Sequence, residues 1–468
     1  MCVFRIKDTY ILAQDVARDT LKVLTLWQTK ETTLVGPPAS FSLQNDNVFH
    51  FGSFSYYLGL LGLLIGNFDP VGATIPTIVL FIFSIFYFYK FCDNIKTGNF
   101  VQYLATLIYS VSPLVITHMR FFWNPNTVIP LSVFFWYLVT KEKSKKDFEV
   151  HFLAGLIMAI IFNFHYFTIL PMLVWTFSCI FKKDWDRLTG IVAGFLIGSL
   201  PLFFYELKND FYLSKSLLLN LNNLQSSAVS ISTHIGRTLE TFMAIVGIKH
   251  GEIFYPTAIG NNSIVYWSIF SFLALLSAIT IKQKVNGGKI WLLLSLWITI
   301  LMAAKASDTE FYVRYVFGAL PLAIWFLSEM FSLKAARLLI VPVAALILFS
   351  TVGVITFQNN INNGYIPLKT LEKISKSIVD EDFKGQYNLT ANVDGDAYAL
   401  ALRYFVQRDS VNKPNDVETY GWLDRLYAIA PNFEKIKSEN RFEYYASGPW
   451  KEPVVTDFGE VKLFRFEK

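Results

Sequence analysis

The chain has 468 residues, 53% hydrophobic and only 16% charged, with 44 Phe, 23 Tyr and 11 Trp and a mean hydropathy of +0.40. Soluble domains carry roughly 25% charged residues, so this composition excludes a soluble enzyme, a disordered chain and a fibrous repeat. The formal charge of +5 raises a nucleic-acid partner, which the placement of the charges then rejects.

The first 52 residues contain no apolar run long enough to cross a bilayer. Their densest feature is Gln14-Asp15-Val16-Ala17-Arg18-Asp19-Thr20-Leu21-Lys22. Read as a helix, it places Asp15, Arg18, Asp19 and Lys22 on one face and Val16, Ala17, Leu21 and Leu24 on another. Two carboxylates beside two cations at a membrane surface supply the parts of a general base and a phosphate clamp. The same spacing equally describes a solvated face of ordinary ion pairs. Gly36-Pro37-Pro38 reads as a turn, and His50 lies in the aromatic run that follows, a residue able to orient a sugar or phosphate or simply to serve the loop's structure. The short apolar stretch Phe54–Gly66 suits an interfacial or re-entrant helix better than a span.

Ten runs then read as spans, at 70–90, 101–117, 127–140, 149–163, 165–181, 188–206, 263–281, 289–304, 314–331 and 337–356. Alternate loops hold Lys90 and Lys96; Lys141, Lys143, Lys145 and Lys146; Lys182, Lys183 and Arg187; Lys282, Lys284 and Lys289; Lys334 and Arg337. The short loops between them carry only Arg120, Lys305 and Arg314. Basic loops stay cytoplasmic, which places residues 1–52, the loop 207–262 and the C-terminal tail outside. Residues 53–356 are net +7 and the tail net −2, so the overall charge is a topology signal and no nucleic-acid footprint.

Two outer loops between spans carry further candidates. Arg120 and Asn124, in His118-Met119-Arg120-Phe121-Phe122-Trp123-Asn124-Pro125-Asn126, could bind an anionic head group, or Arg120 could snorkel to the interface. Arg314-Tyr315, preceded by Lys305, Asp308 and Glu310, offers a phosphate ligand or a helix anchor. Ionisable groups are nearly absent from span interiors, which weighs against an ion-coupled transporter.

Residues 357–468 change character. Leu371–Val379 has helical period, while Tyr387–Val393 and Val461–Phe466 alternate like strands, so the tail reads as a small soluble α+β domain outside the membrane. It contains a glycosylation triplet, Asn388-Leu389-Thr390. The expected fold is therefore an all-α polytopic membrane domain of about ten helices with a small C-terminal α+β domain. Its divisions are 1–52, a first outer loop; 53–356, a membrane body; and 357–468. Cys2, Cys92 and Cys179 are too few and scattered for a disulfide framework.

Taken in order, these pieces resemble the GT-C superfamily of integral-membrane glycosyltransferases, above all the polyprenyl-phosphate-sugar-dependent protein mannosyltransferases and the lipid A aminoarabinose transferases. The likeness rests on Asp15 with Ala17-Arg18-Asp19, on Gly36-Pro37-Pro38, Gly52 and Tyr56-Tyr57, on Arg120-Phe121 with Trp123-Asn124-Pro125, and on Arg314-Tyr315. It covers residues 8–356.

The resemblance implies an inverting transfer of a sugar from a polyprenyl-phosphate donor to a protein, lipid or glycan acceptor at the outer face of the cell membrane. Asp15 would be the general base. Arg18, Arg120 and Arg314 would neutralise the departing phosphate, with Asp19, His50, Asn124 and Tyr315 as further binding residues. The mannosyltransferases usually carry Asp-Glu where this chain has Asp15-Val16, so Asp19 would be the second carboxylate. No metal is required by this reading, although Asp15 and Asp19 offer a divalent ion a site. The family begins with a membrane helix before this loop, and an export route for residues 1–52 asks for one too, so a preceding span is expected. The alternatives are a lipid-linked saccharide flippase and a non-catalytic membrane scaffold.

Overall fold

A computed structural model of the chain describes residues 1–39, 48–142, 147–223, 242–247, 287–306, 313–332, 336–356, 365–393 and 397–468. The expected span 263–281, the loop residues Lys143, Lys145, Lys146, Lys282, Lys284, Lys334, Asp308 and Glu310, and the expected boundary at Phe357 lie outside the described residues, as does the side chain of Lys305.

Helices dominate, but fewer are long than the apolar runs suggest. Four described helices are long and apolar enough to cross a membrane: Pro70–Asn94, Asp147–Phe164, Val313–Phe331 and Arg337–Thr356. A fifth arises if Trp185–Gly198 and Leu200–Lys208, bent by 53°, count as one span. The run 289–304 forms the unbroken helix Gly287–Ala306, whereas three other runs are interrupted or delayed at prolines, which lack the N–H that would continue a helix. The run 101–117 becomes Asn99–Val111 and Pro113–His118, parted at Ser112. The run 127–140 is preceded by a 3-10 turn carrying Pro125 and forms only the 12-residue helix Val128–Val139. The run 165–181 starts as a 3-10 turn and becomes α-helical at Leu170, with Pro171 in the first turn. Phe54–Ile65 is a separate 12-residue helix, too short to span.

Close helix contacts are made where side chains are absent. Gly155 and Gly194 lie at the crossing of Asp147–Phe164 and Trp185–Gly198. A Cβ on Gly194 would come within 2.0 Å of the Phe152 carbonyl, and one on Gly155 within 2.1 Å of that of Ile191. Small residues let helix backbones approach in this way within a bilayer.

The first long helix, α1 (Gln14–Thr29), buries Val16, Ala17, Leu21 and Leu24 as its pattern predicts. They pack into a second core, shared with Tyr56, Phe121, Phe122 and the C-terminal residues Leu371, Leu402 and Phe405. There a four-stranded sheet comprises β3 (Tyr387–Ala391), β4 (Arg425–Ala430), β5 (Val454–Asp457) and β6 (Lys462–Glu467), in the order β3-β4-β6-β5. β3 and β4 run parallel and the other pairs antiparallel, and the helices Leu368–Val379 and Leu400–Asp409 pack against each other beside it. The α+β reading of this region holds. Its glycosylation triplet does not survive folding, because Asn388 is fully buried in β3 and its amide donates to the carbonyls of Asp416 and Thr419 at 3.0 and 2.8 Å.

Candidate active site

Residues far apart in sequence meet at one end of the bundle in a half-open cleft of about 610 Å³. Asp15 and Arg18 from α1 line one side, with Asn124 at the turn before Val128–Val139 and Arg314-Tyr315 before Leu320–Phe331. The remaining wall is aromatic: Phe49, Phe51, Trp123, Tyr166 and Phe167, with His165 among them.

Helical spacing explains the polar edge. Arg18 donates to Asp15 Oδ1 at 2.7 Å across one turn and to Asp19 Oδ1 at 2.9 Å. One guanidinium therefore serves two carboxylates of unequal burial. Asp15 is about one-third exposed and faces the cleft, whereas Asp19 is 1% exposed and its Oδ2 has no hydrogen-bond partner. Burial, opposed by the attraction of Arg18 and reinforced by Asp15, pushes the Asp19 carboxyl up to about 7. Lys22, expected on the same face, is exposed to solvent and stays out of the cluster.

The aromatic wall comes from strand geometry. β1 (Val35–Pro38) pairs antiparallel with β2 (His50–Gly52), so Gly36-Pro37-Pro38 is a strand and not the expected turn. Successive side chains of a strand point to opposite sides. Phe49 and Phe51 both reach the cleft, whereas His50 is turned away and its Nδ1 donates to the Gly36 carbonyl at 3.1 Å. Burial pulls the His50 imidazole below its ordinary value, against that hydrogen bond. Gly36 and Gly52 permit this layer: a Cβ on Gly36 would meet the Gly52 carbonyl oxygen at 2.1 Å, and one on Gly52 the Asn163 side chain at 1.7 Å. Tyr166 then fixes the hairpin by donating its hydroxyl to the His50 carbonyl at 2.9 Å, and its ring packs 4.9 Å from Phe49 and 5.4 Å from Phe51.

On the opposite wall Arg314 lies over the Trp123 ring at 5.1 Å and the Tyr315 ring at 5.7 Å, a cation–π stack that orients its guanidinium. Asn124 lines the cleft but also donates to the Phe164 carbonyl at 2.7 Å, closing the end of Asp147–Phe164. His165 sits behind, its ring 5.1 Å from Phe51 and 5.4 Å from Tyr315. Burial, with Arg314 adding to it, lowers the imidazole to about 3. His165 is therefore neutral at physiological pH.

Of the eight residues singled out from the sequence, the cleft brings together Asp15, Arg18, Asn124, Arg314 and Tyr315, with Asp19 immediately behind Arg18. Two fall elsewhere. His50 is turned away by strand alternation. Arg120 is 3% exposed and donates to the backbone carbonyls of Met1, Cys2 and Phe4 at 2.8, 3.1 and 2.9 Å, and to the Thr9 hydroxyl. In the structure it clamps the N-terminal segment, four oxygens engaging its donors. Sequence reasoning missed the aromatic wall, whose only local signal was the alternation Phe49-His50-Phe51. Among the described residues no three His, Cys, Asp or Glu side chains gather as a metal-binding group. Asp15 and Asp19 are both bridged to Arg18.

No protein-family model matches the chain, and no curated protein matches it by sequence. Its fold does have solved counterparts. It is similar to ArnT from Cupriavidus metallidurans bound to undecaprenyl phosphate, with a TM-score of 0.65 and 9% identity over 99% of this chain and 95% of the other. The apo state of that ArnT gives a TM-score of 0.62 with the same identity and coverage. A weaker likeness, TM-score 0.49 and 8% identity over 93% of this chain and 68% of the other, is to the archaeal oligosaccharyltransferase AglB from Archaeoglobus fulgidus. The chain thus shares the ArnT fold.

Proposed function

We propose that the chain is an integral-membrane inverting glycosyltransferase that moves a sugar from a polyprenyl-phosphate donor to an acceptor at the outer face of the membrane. One observation carries the reading: a carboxylate, Asp15, and two guanidiniums, Arg18 and Arg314, line the same aromatic-walled cleft. These are the groups that such a transfer asks for. The undecaprenyl phosphate bound to the structurally similar ArnT supports a lipid-phosphate leaving group here, and the basic loops at the opposite end of the bundle support the outward orientation.

The acceptor's oxygen or nitrogen attacks the anomeric carbon from the side opposite the phosphate. The bond from that carbon to the phosphate oxygen breaks, and the lipid phosphate leaves with the electron pair. Asp15 takes the acceptor's proton, and its exposure lets an acceptor reach it. Arg18 and Arg314 stabilise the charge that grows on the leaving phosphate, with Asn124 and Tyr315 beside it. Phe49, Phe51 and Tyr166 present flat apolar faces against which a sugar ring can lie while water is excluded. Asp19 holds Arg18 from behind.

The test gives purified full-length protein labelled polyprenyl-phosphate sugars and compares wild type with Asp15→Asn. Loss of a general base lowers transfer by about 10²–10⁴-fold. Equal transfer by the two proteins would remove Asp15 from the mechanism.

A further inference from the structure

A second polar cavity, of about 660 Å³, lies at the other end of the bundle. Its place follows from the helices it shares with the first. Asn124 precedes Val128–Val139, whereas Val139 and Thr140 at the end of that helix line the second cavity. Likewise His165 follows Phe164, while Asp147, which pairs with the lining residue Arg187, begins the 18-residue helix Asp147–Phe164. A helix of that length separates the two sites by about 27 Å.

The lining carries four cations, Lys96, Lys182, Arg187 and Lys289, and one carboxylate, Glu142. Three of the cations have carboxylate partners. Lys96 meets Glu142 at 2.9 Å, Lys289 meets Glu329 at 3.2 Å, and Arg187 meets Asp147 and Asp184 at 3.2 Å each. Lys182 has no ion-pair partner among the described residues. Its ammonium rests 4.9 Å from the centre of the Trp175 ring, and burial lowers its proton affinity. Trp175 is 5% exposed and its indole N–H has no hydrogen-bond partner. Thus an exposed cation without an ion-pair partner among the described residues and a buried indole donor without an acceptor border one cavity.

We propose that this cavity binds the phosphate of an anionic membrane lipid, with Lys182 as its counter-ion. A phosphate oxygen accepts from the Lys182 ammonium, and Lys96 and Lys289 add long-range attraction at the rim. A lipid fits better than free phosphate because exposed apolar side chains border the basic end. Phe177 and Phe181 are 57% and 72% exposed, and the Phe181 ring stacks 5.6 Å from Trp291, giving an acyl chain a surface beside the cavity. The basic loops place this end in the leaflet where anionic lipids concentrate. The inference is independent of the transfer reaction proposed for the other end.

The test uses the full-length protein in detergent micelles, with thermal unfolding and native mass spectrometry as readouts. Phosphatidylglycerol, phosphatidylcholine and inorganic phosphate are added separately. Phosphatidylglycerol should raise the midpoint and appear as a bound adduct, while phosphatidylcholine does neither. Lys182→Met should weaken the apparent affinity about 10-fold or more, the loss of one charge-assisted contact, and Lys182→Arg should retain it. Arg314→Gln, at the opposite cleft, should respond as wild type does. A response to inorganic phosphate alone overturns the lipid as occupant. An equal response from wild type and Lys182→Met, or no response from wild type, overturns the site; Lys182→Arg and wild type decide the matter should the Met variant fail to fold.

Discussion

Asp19→Asn isolates the electrostatics of the shared guanidinium. Folded Asp19 keeps its proton up to about pH 7, whereas an ordinary aspartate loses it near 3.8. The folded state therefore binds more protons within that window. Stability is greatest below it, falls as the pH climbs through it, and levels off above about 7. At about 1.4 kcal/mol per pH unit the whole window amounts to on the order of 4 kcal/mol, of which a series from about pH 5 to pH 8 captures on the order of 3 kcal/mol. Asparagine has no proton to lose, so the variant lacks this decline. The three cysteines are free and buried, which makes a maleimide fluorophore a direct reporter of unfolding, and comparing the proteins at each pH cancels the dye's own pH dependence. The variant should gain roughly 5 °C on wild type between about pH 5 and pH 8. Parallel melting temperatures across the series would mean that Arg18 outweighs burial and that folded Asp19 is already ionised at the acid end, refuting the reasoning.

Three further substitutions separate architecture from the cleft. Arg120→Gln leaves backbone carbonyls of residues 1–4 without their buried donor, costing about 3 kcal/mol; faster maleimide labelling of Cys2 in the folded protein would report the freed segment. Gly194→Val sets a side chain 2.0 Å from the Phe152 carbonyl and should cost at least about 3 kcal/mol, read as a lower melting temperature that Gly194→Ala reproduces in part. Phe51→Ala removes a cleft wall while leaving Asp15 and Arg18 in place, so the KM for a lipid-linked sugar should rise about 10-fold or more; an unchanged KM would place the sugar elsewhere.

Much of the architecture follows from runs and spacing. The helix carrying Asp15 and Arg18 is legible because its apolar positions recur at helical intervals, and its charged positions one turn apart leave the Arg18 bridge almost no alternative. The strand β6 shows an approximate alternation in the same way, whereas every residue of β3 is buried. Arg120 shows the limit of such reasoning. A lone arginine in a short loop between apolar runs has the same local pattern whether it meets phosphate or backbone, and only the fold brings the carbonyls of residues 1–4 to it.

Composition and charge placement by themselves determined a helical membrane body with its cations gathered at one end, because hydrophobic length and local charge are properties of consecutive residues. The turning of His50 out of the cleft and the convergence of Phe51, Trp123, His165 and Arg314 on Asp15 were decided only in three dimensions. The first rests on strand pairing and the second on contacts between segments tens of residues apart. Their packing chooses which side of a strand or helix faces the cavity, and no local pattern encodes that choice.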